Sequence, residues 1–451
     1  MARFNLQEKK KVRVKGFAGY GVQLNQNVFA KVTRKTGITD AQLDELDQKV
    51  HRLAPRFVRI FFDPRARPGQ EPNSDDLMHS FKKTVDLAQS AASSINITWT
   101  GGGQDHPDKN MKDFAAVLAD LVKNHGATKL RWVTVGNEPN STNITLEQYE
   151  DLYRRLRHHL KRHGVARQIR LMGGDLVQDN QQRWCTHLAH HMDDVLDAWS
   201  IHIYWRYDEL GPGLRTKLVK RLREVRGICD SLHSTKPVYV TEYGVRGDFK
   251  VGKHIVRPEP GIDRNGRRIV NLNLNAFQHA WFNVLAANLG YQGLVKWDAH
   301  FAKYDLHTKH PPQEYGLLGK PKKGGEWQLR PAYHLTRLFT QTVKPGWNVR
   351  ELAHDAGSEI AAAFSAPSGD GLTLIGLDTA GASLNRAVKD ERTYHFANLP
   401  KRTSFELIYW NRRGGGQLRS PGKVRSDARG NLEVVAPLHS VFAVTTVPVD
   451  V

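Results

Sequence analysis

Two glutamates stand in short motifs that close apolar runs. Glu138 lies in VGNEPN from Val135, and Glu242 lies in VTEYG from Val240. Two carboxylates facing one cavity can divide the labour of breaking an acetal. One, held partly protonated, delivers a proton to a poor leaving oxygen. The other, ionised, attacks or shields the cation-like carbon. Their surroundings must push the two pKa values apart. Arg59, if it lies near Glu242, keeps that group ionised, because a close cation favours a charged carboxylate. Tyr204 can donate a hydrogen bond to the same group. Asn137, beside Glu138, can hold a sugar 2-hydroxyl, a bond that strengthens in the transition state. His202 and Tyr204 alternate along one run, so both point the same way. Trp297 offers a flat face for a sugar ring. The expected roles are therefore acid/base for Glu138, nucleophile for Glu242, and substrate binding for Arg59, Asn137, His202, Tyr204 and Trp297. Trp205, Asp298 and His300 stand near the same run ends with a weaker claim to substrate contact.

Something must bring these residues together. Eight apolar runs recur through the first three quarters of the chain: FAGYGVQLN from Phe17, FVRIFF from Phe57, INITWT from Ile95, LRWVTVGN from Leu130, IRLMGG from Ile169, AWSIHIYW from Ala198, PVYVTEYG from Pro237 and GLVKWDAH from Gly293. They are nearly continuously apolar, as parallel strands covered on both faces should be. Helical patterns lie between them. Phe114, Val117, Leu118, Leu121 and Val122 share one face before Gly126 ends the pattern. Thr145 and Gln148 have capping-box spacing, and Tyr149, Leu152, Tyr153, Leu156 and Leu160 follow as a buried stripe ended by Gly164. Eight strand–helix units over roughly 250 to 350 residues predict an α/β fold of the (β/α)₈ TIM-barrel kind. A doubly wound sheet would carry GxGxxG after its first strand, and none follows Phe17 here. In such a barrel the reacting groups occupy the strand C-terminal ends. These ends give Arg59 from the second strand, Asn137 and Glu138 from the fourth, His202 and Tyr204 from the sixth, Glu242 from the seventh and Trp297 from the eighth. From about Asn348 the texture changes to short β-like runs such as LTLIGLDT, FELIYW and LEVVAP, separated by turn residues. The expectation is a catalytic barrel over 1–345 and a small C-terminal all-β sandwich over 346–451 with a supporting role.

With the motifs placed, a resemblance becomes specific. VGNEPN on a fourth strand and VTEYG on a seventh resemble the acid/base and nucleophile strands of clan A glycoside hydrolases. The set Arg59, Asn137, Glu138, His202, Tyr204, Glu242 and Trp297 resembles the active-site set of glycoside hydrolase family 5. A trailing sandwich also occurs in families 30, 39, 51 and 79, and GNEPN resembles family 79. The resemblance covers the barrel and implies a retaining, double-displacement glycosidase without cofactor or metal, acting on an oligosaccharide or polysaccharide. One departure concerns the third strand. Family 5 usually has a histidine near its end, where this chain reads WTGGGQDH from Trp99, leaving His106 or Trp99 for that place.

Charge widens the choice of partner. The 451-residue chain carries 66 Lys and Arg against 46 Asp and Glu, a net +20. Such a field attracts polyanions, so a carbohydrate substrate of anionic kind is one expectation. It is motivated by Arg65, Arg67, Arg206, Arg246, Lys250 and Lys303 after strand ends. Two alternatives from other classes are a barrel that binds polyanionic glycan without cleaving it and a nucleic-acid binder. No RNP, zinc-finger or helix–turn–helix pattern supports the latter, so no nucleic acid is expected. HHLKRHG from His158 reads as an exposed helix face, since it lacks HExxH or another zinc-ligand set. Cys185 and Cys229 are the only cysteines, too few for a disulfide framework, and read as buried thiols or a single bridge. No apolar run reaches the about 18 residues of a membrane span. The opening MARFNLQEKKKVRV has no apolar stretch behind its basic residues, so no signal peptide is read, and localisation stays open between cytosol and secretion after processing. Oligomeric state, sugar and linkage are open as well.

Overall fold

The computed structural model describes residues 2–67, 69, 73–101, 105–178, 181–206, 212–232, 234–246, 249–251, 254–256, 267–303, 315–355, 357–382, 391–413 and 415–449. All eight apolar runs are strands of one closed parallel barrel. In order they are Gly19–Leu24, Phe57–Phe62, Ser94–Trp99, Leu130–Val135, Arg170–Leu176, Ala198–Arg206, Val238–Arg246 and Gly293–Lys296. The eighth pairs in parallel with both the seventh and the first, which closes the ring. Helices of 11 to 20 residues return the chain between neighbours. Their capping follows the sequence: Thr145 and Gln148 exchange hydrogen bonds of 2.9 and 3.2 Å at the start of Leu146–Arg162. Met111, Phe114, Leu118 and Leu121 bury one face of Pro107–Lys123.

The barrel interior changes character along its axis. At the strand N-terminal ends Phe57, Trp132, Met172, Ala198, Tyr239 and Val295 form a closed apolar plug. One layer higher, Asn96 bonds Thr134 at 3.2 Å. Higher still, the interior is polar and charged. Hydrophobic burial stabilises the closed end, and at the other end ion pairs and hydrogen bonds offset the cost of burying charge.

The C-terminal part is a two-sheet β unit, as its short β-like runs predict. Its sheets have four and seven strands. Phe4, Phe396, Val434, Phe405, Phe442 and Val444 contribute to a separate core between them. The boundary differs from the expected 1–345 and 346–451. Ala2–Leu6 pairs with Leu352–His354 and Glu391–Ala397, and Val12–Phe17 pairs with Trp347–Arg350. Residues 2–17 therefore complete the sandwich. Their strand pattern, read locally, could not say which sheet they would join, because pairing is a long-range contact. The sandwich packs on the helices Asn273–Asn288 and Pro331–Thr342; Asn288 Nδ2 donates to the Ala361 carbonyl at 2.8 Å and Thr373 Oγ1 to that of Thr342 at 2.8 Å. None of the barrel-mouth residues named above comes from it.

Cys185 and Cys229 are buried free thiols. Burial pushes both thiols up to about 12, so neither is a ready nucleophile. Among the described residues no helix is long and apolar enough to cross a membrane.

Candidate active site

Arg59 is the centre of the polar end. It is fully buried, and its guanidinium donates to Glu242 Oε2 (2.8 Å), Asn137 Oδ1 (2.8 Å), Asp175 Oδ2 (2.5 Å), Gln23 Oε1 (3.1 Å) and Thr98 Oγ1 (3.0 Å). Five donors thus meet five acceptors contributed by five other barrel strands or their ends, a task suited to a planar fork. Burial by itself would lower the guanidinium pKa, but the charges of Asp175 and Glu242 overcome it and raise the value above the ordinary one.

Glu242 is held on both oxygens. Arg59 takes Oε2, and the Tyr204 hydroxyl donates a very short hydrogen bond to Oε1. Both oxygens act as acceptors, the role of a carboxylate. A bulge aims this group. Ile201 pairs with Val240 but His202 pairs with Glu242, so Thr241 is an extra residue in the seventh strand. The same extra residue appears against the eighth strand, where Leu294 pairs with Val240 and Lys296 with Tyr243. Thr241 and Glu242, though adjacent, both reach the interior network. Bulges are a recurrent means of re-aiming a side chain at a barrel rim.

Glu138 sits opposite in a left-handed conformation, φ 53° and ψ 49°. That conformation costs on the order of 1–2 kcal/mol for a residue with a Cβ. The following residues hold it: Asn140 Nδ2 donates to the Val177 carbonyl at 2.9 Å, and the Val177 amide donates to Asn140 Oδ1 at 3.0 Å. The two asparagines of NEPN therefore do different things. Asn137 faces Arg59 in the mouth, and Asn140 pins the turn to the fifth strand. Glu138 Oε1 lies 2.9 Å from His202 Nδ1. The Glu138 side chain is 26% exposed, against 8% for Glu242, so the first is open to solvent and ligand while the second is enclosed.

His202 is buried between three carboxylates. Nδ1 faces Glu138 at 2.9 Å and Glu242 at 3.8 Å, and Nε2 faces Asp175 Oδ1 at 3.6 Å. Burial lowers its pKa, but the charges of Glu242 and Asp175 outweigh that and lift it to about 9. The imidazolium is thus favoured in the folded chain. With an ordinary value near 6.5, this group contributes stability that is complete below about pH 6.5 and lost as pH rises through about 9. Urea unfolding of wild type and His202→Gln should show a stability gap of a few kcal/mol at pH 6 that narrows toward pH 10. A gap independent of pH would contradict a charged His202.

Sequence reasoning missed Asp175. It ends the fifth strand in the run LMGGD, is fully buried, and accepts from Arg59, Ser200 Oγ (2.7 Å) and Thr241 Oγ1 (2.5 Å). Burial raises its pKa, yet the Arg59 and His202 charges hold it far below the carboxylate range. Gly174 before it has φ +120°, and a Cβ there would stand 2.3 Å from the Ser200 carbonyl oxygen. The GGD sequence at a strand end was the available signal. At the third strand the question of His106 or Trp99 resolves to neither. Thr98 is the residue that touches Arg59. Trp99 packs on Phe62 and Phe114 outside the ring of strands, and His106 is exposed at the start of a helix.

Trp297 is half-buried at the eighth strand end, its ring 5.6 Å from Phe61. Lys296 behind it donates to the Trp297 and Tyr315 carbonyls. Trp205 is turned outward, its indole donating to Gln278 at 2.8 Å, and Asp298 and His300 are buried. Of the six cations placed at the mouth, Arg65 is spent on Asp63 (2.6 Å) and Arg67 on Asp113 (3.0 Å) and the Trp99 face. Lys303 binds Thr33 and Asn27 through its backbone. The side chains of Arg206, Arg246 and Lys250 lie outside the described residues. Local pairing thus neutralises part of the cationic field that composition suggested.

Glu138, His202 and Glu242 also group one ligating atom each within 4.8 Å. A cation there would meet the Arg59 guanidinium and a protonated His202, so the trio is better suited to holding protons than a metal.

No protein-family model and no curated protein matches the chain. Solved structures do. The catalytic domain of GH30 xylanase C from Talaromyces cellulolyticus superposes with a TM-score of 0.67 at 9% identity, covering 98% of this chain and 99% of that one. A family 51 α-L-arabinofuranosidase from Bifidobacterium longum gives 0.67 at 12% identity over 98% and 99%. A conserved exported protein from Bacteroides fragilis gives 0.70 at 10% identity over 98% and 100%. The chain has the fold of these proteins. At 98% of this chain, that likeness extends over barrel and sandwich together.

Proposed function

We propose that the protein is a retaining glycoside hydrolase of clan A, with Glu242 as nucleophile and Glu138 as general acid/base. The observation that carries this reading is the spacing of the carboxylates. One oxygen of Glu138 and one of Glu242 lie within 4.8 Å of each other. Retaining enzymes hold their carboxyl groups about 5–5.5 Å apart, whereas inverting ones leave about 6.5–9.5 Å for a water. Glu242, gripped by Arg59 and Tyr204, attacks the anomeric carbon while Glu138 gives its proton to the leaving oxygen. The glycosyl ester so formed is then hydrolysed by a water that Glu138 deprotonates. His202, donating to Glu138 and facing Glu242, moves its proton density between the two as their charges change. Asn137, oriented by Arg59, is placed to meet the 2-hydroxyl, and Trp297 to stack on the sugar.

The family 5 resemblance rests on motifs, while the similar solved structures carry family 30 and family 51 names, so the proposal is made at the level of the clan. The substrate class is an oligosaccharide or polysaccharide. The +20 charge keeps uronate-bearing glycans in that class. A panel of neutral and uronate-bearing oligosaccharides, followed by NMR of the first product, tests the reading. The expected product has the anomeric configuration of the substrate. An inverted product would sink the nucleophile assignment. Glycan binding without turnover on any member of the panel would favour the non-catalytic alternative.

A further inference from the structure

The outer, helical layer carries a second convergence of ligating side chains. Helix Leu146–Arg162 supplies Glu150, and the neighbouring helix Gln181–His191 supplies His187 and His191, one turn apart. Residues four apart lie on one helix face. One oxygen of Glu150 and one ring nitrogen of each histidine lie within 4.8 Å of one another.

The contacts among them are close but poorly satisfied. His187 Nε2 stands 3.1 Å from Glu150 Oε2 without the alignment of a hydrogen bond. The two imidazoles stack with centroids 4.6 Å apart and planes 18° from parallel, an arrangement that penalises a charge on both. Burial lowers the His187 pKa and His191 lowers it further, against the pull of Glu150. A neutral imidazole keeps the lone pair that a metal requires. The other oxygen of Glu150 is already oriented: Oε1 accepts from Arg154 Nε at 2.7 Å. Arg154 also binds both Asp194 oxygens (2.8 and 3.1 Å) and the His191 carbonyl (2.7 Å). Asp194 offsets the guanidinium charge, and Arg154 acts as the outer-shell partners of metal ligands do, by fixing ligand orientation.

We propose that Glu150, His187 and His191 form a binding site for a late first-row divalent cation such as Zn²⁺, linking the two helices. Two imidazoles and one carboxylate suit Zn²⁺, Ni²⁺ and Cu²⁺, whereas Mg²⁺ and Ca²⁺ select all-oxygen sets. Bonding distances of about 2.0–2.2 Å require the three donors to close on the ion, and the exposed His191 side chain has room to turn toward it. Water completes the coordination. The site is independent of the glycosidase reading.

Calorimetric titration of tag-free protein with Zn²⁺ tests it. One saturable site is expected, with a rise in Tm that Mg²⁺ does not produce, because a ligand selective for the folded state stabilises it. His191→Ala, at an exposed position, and His187→Gln should each weaken binding by at least about tenfold, the lower range seen even for outer-shell changes. Cu²⁺ EPR should show imidazole nitrogen coupling in wild type that both variants reduce. Glu242→Gln, which alters the carboxylate–histidine group at the barrel mouth, should leave the affinity unchanged. No saturable Zn²⁺ binding below the millimolar range would overturn the proposal. So would wild-type affinity in both histidine variants, or loss of binding in Glu242→Gln instead.

Discussion

Replacing Glu242 with alanine is expected to abolish turnover on every substrate, including those with good leaving groups, by roughly 10⁵- to 10⁶-fold in kcat, the scale of losing a hydrolase nucleophile. The reason is positional. Glu242 is the carboxylate enclosed by Arg59 and Tyr204 (2.8 Å for Arg59), and no other described acidic group reaches both donors. Asp175 is committed beneath it to Arg59, Ser200 and Thr241. Glu138→Ala should behave differently. Loss of acid catalysis costs typically 10²- to 10⁴-fold, but an activated leaving group needs little protonation. The deficit should therefore shrink on aryl glycosides with acidic phenols and remain large on unactivated sugars. Steady-state kinetics of both variants across leaving groups of graded pKa would check this. Equal losses for both variants on all substrates would mean that the two carboxylates do not have the assigned roles.

Arg59→Met should be the most destabilising single change at the barrel mouth, by about 3–5 kcal/mol, since removing one partner leaves buried charge uncompensated. Asp175 and Glu242 would then keep His202, among the described residues, as the ion-pair partner they share. Equilibrium unfolding gives the stability loss. Whatever activity survives should show its acidic limb moved to higher pH, because Asp175, deprived of the Arg59 charge that holds its carboxyl low, protonates more readily. Arg59→Lys should recover part of the stability and little of the activity. An ammonium supplies the charge but cannot reach Glu242, Asn137, Asp175, Gln23 and Thr98 at once. An Arg59→Met variant as stable as wild type, with an unmoved acidic limb, would show that the network is not coupled as its geometry implies.

The sequence by itself determined the eight strands and the helices between them. Burial on both faces of a parallel sheet writes a continuous apolar run, and a helix packed on that sheet writes a stripe, so both signals are local. It also determined which side chains stand at the barrel mouth: parity along a strand suffices for Arg59, His202, Tyr204 and Trp297, and position just past or at a strand's C-terminal end for Asn137, Glu138 and Glu242. Tertiary structure alone decided the rest. Asp175 matters through contacts to residues 25 to 116 positions away, and nothing in LMGGDL marks it as the base of the Arg59 network. The bulge at Thr241 depends on register against two neighbouring strands. The placement of residues 2–17 in the sandwich rests on pairing with strands more than 300 residues later. The fate of the surface charge was decided in the same way, since Arg65 and Arg67 find carboxylates that composition could not pair with them. Local burial and periodicity are recorded residue by residue, while partnership between distant polar groups exists only once the chain has closed on itself.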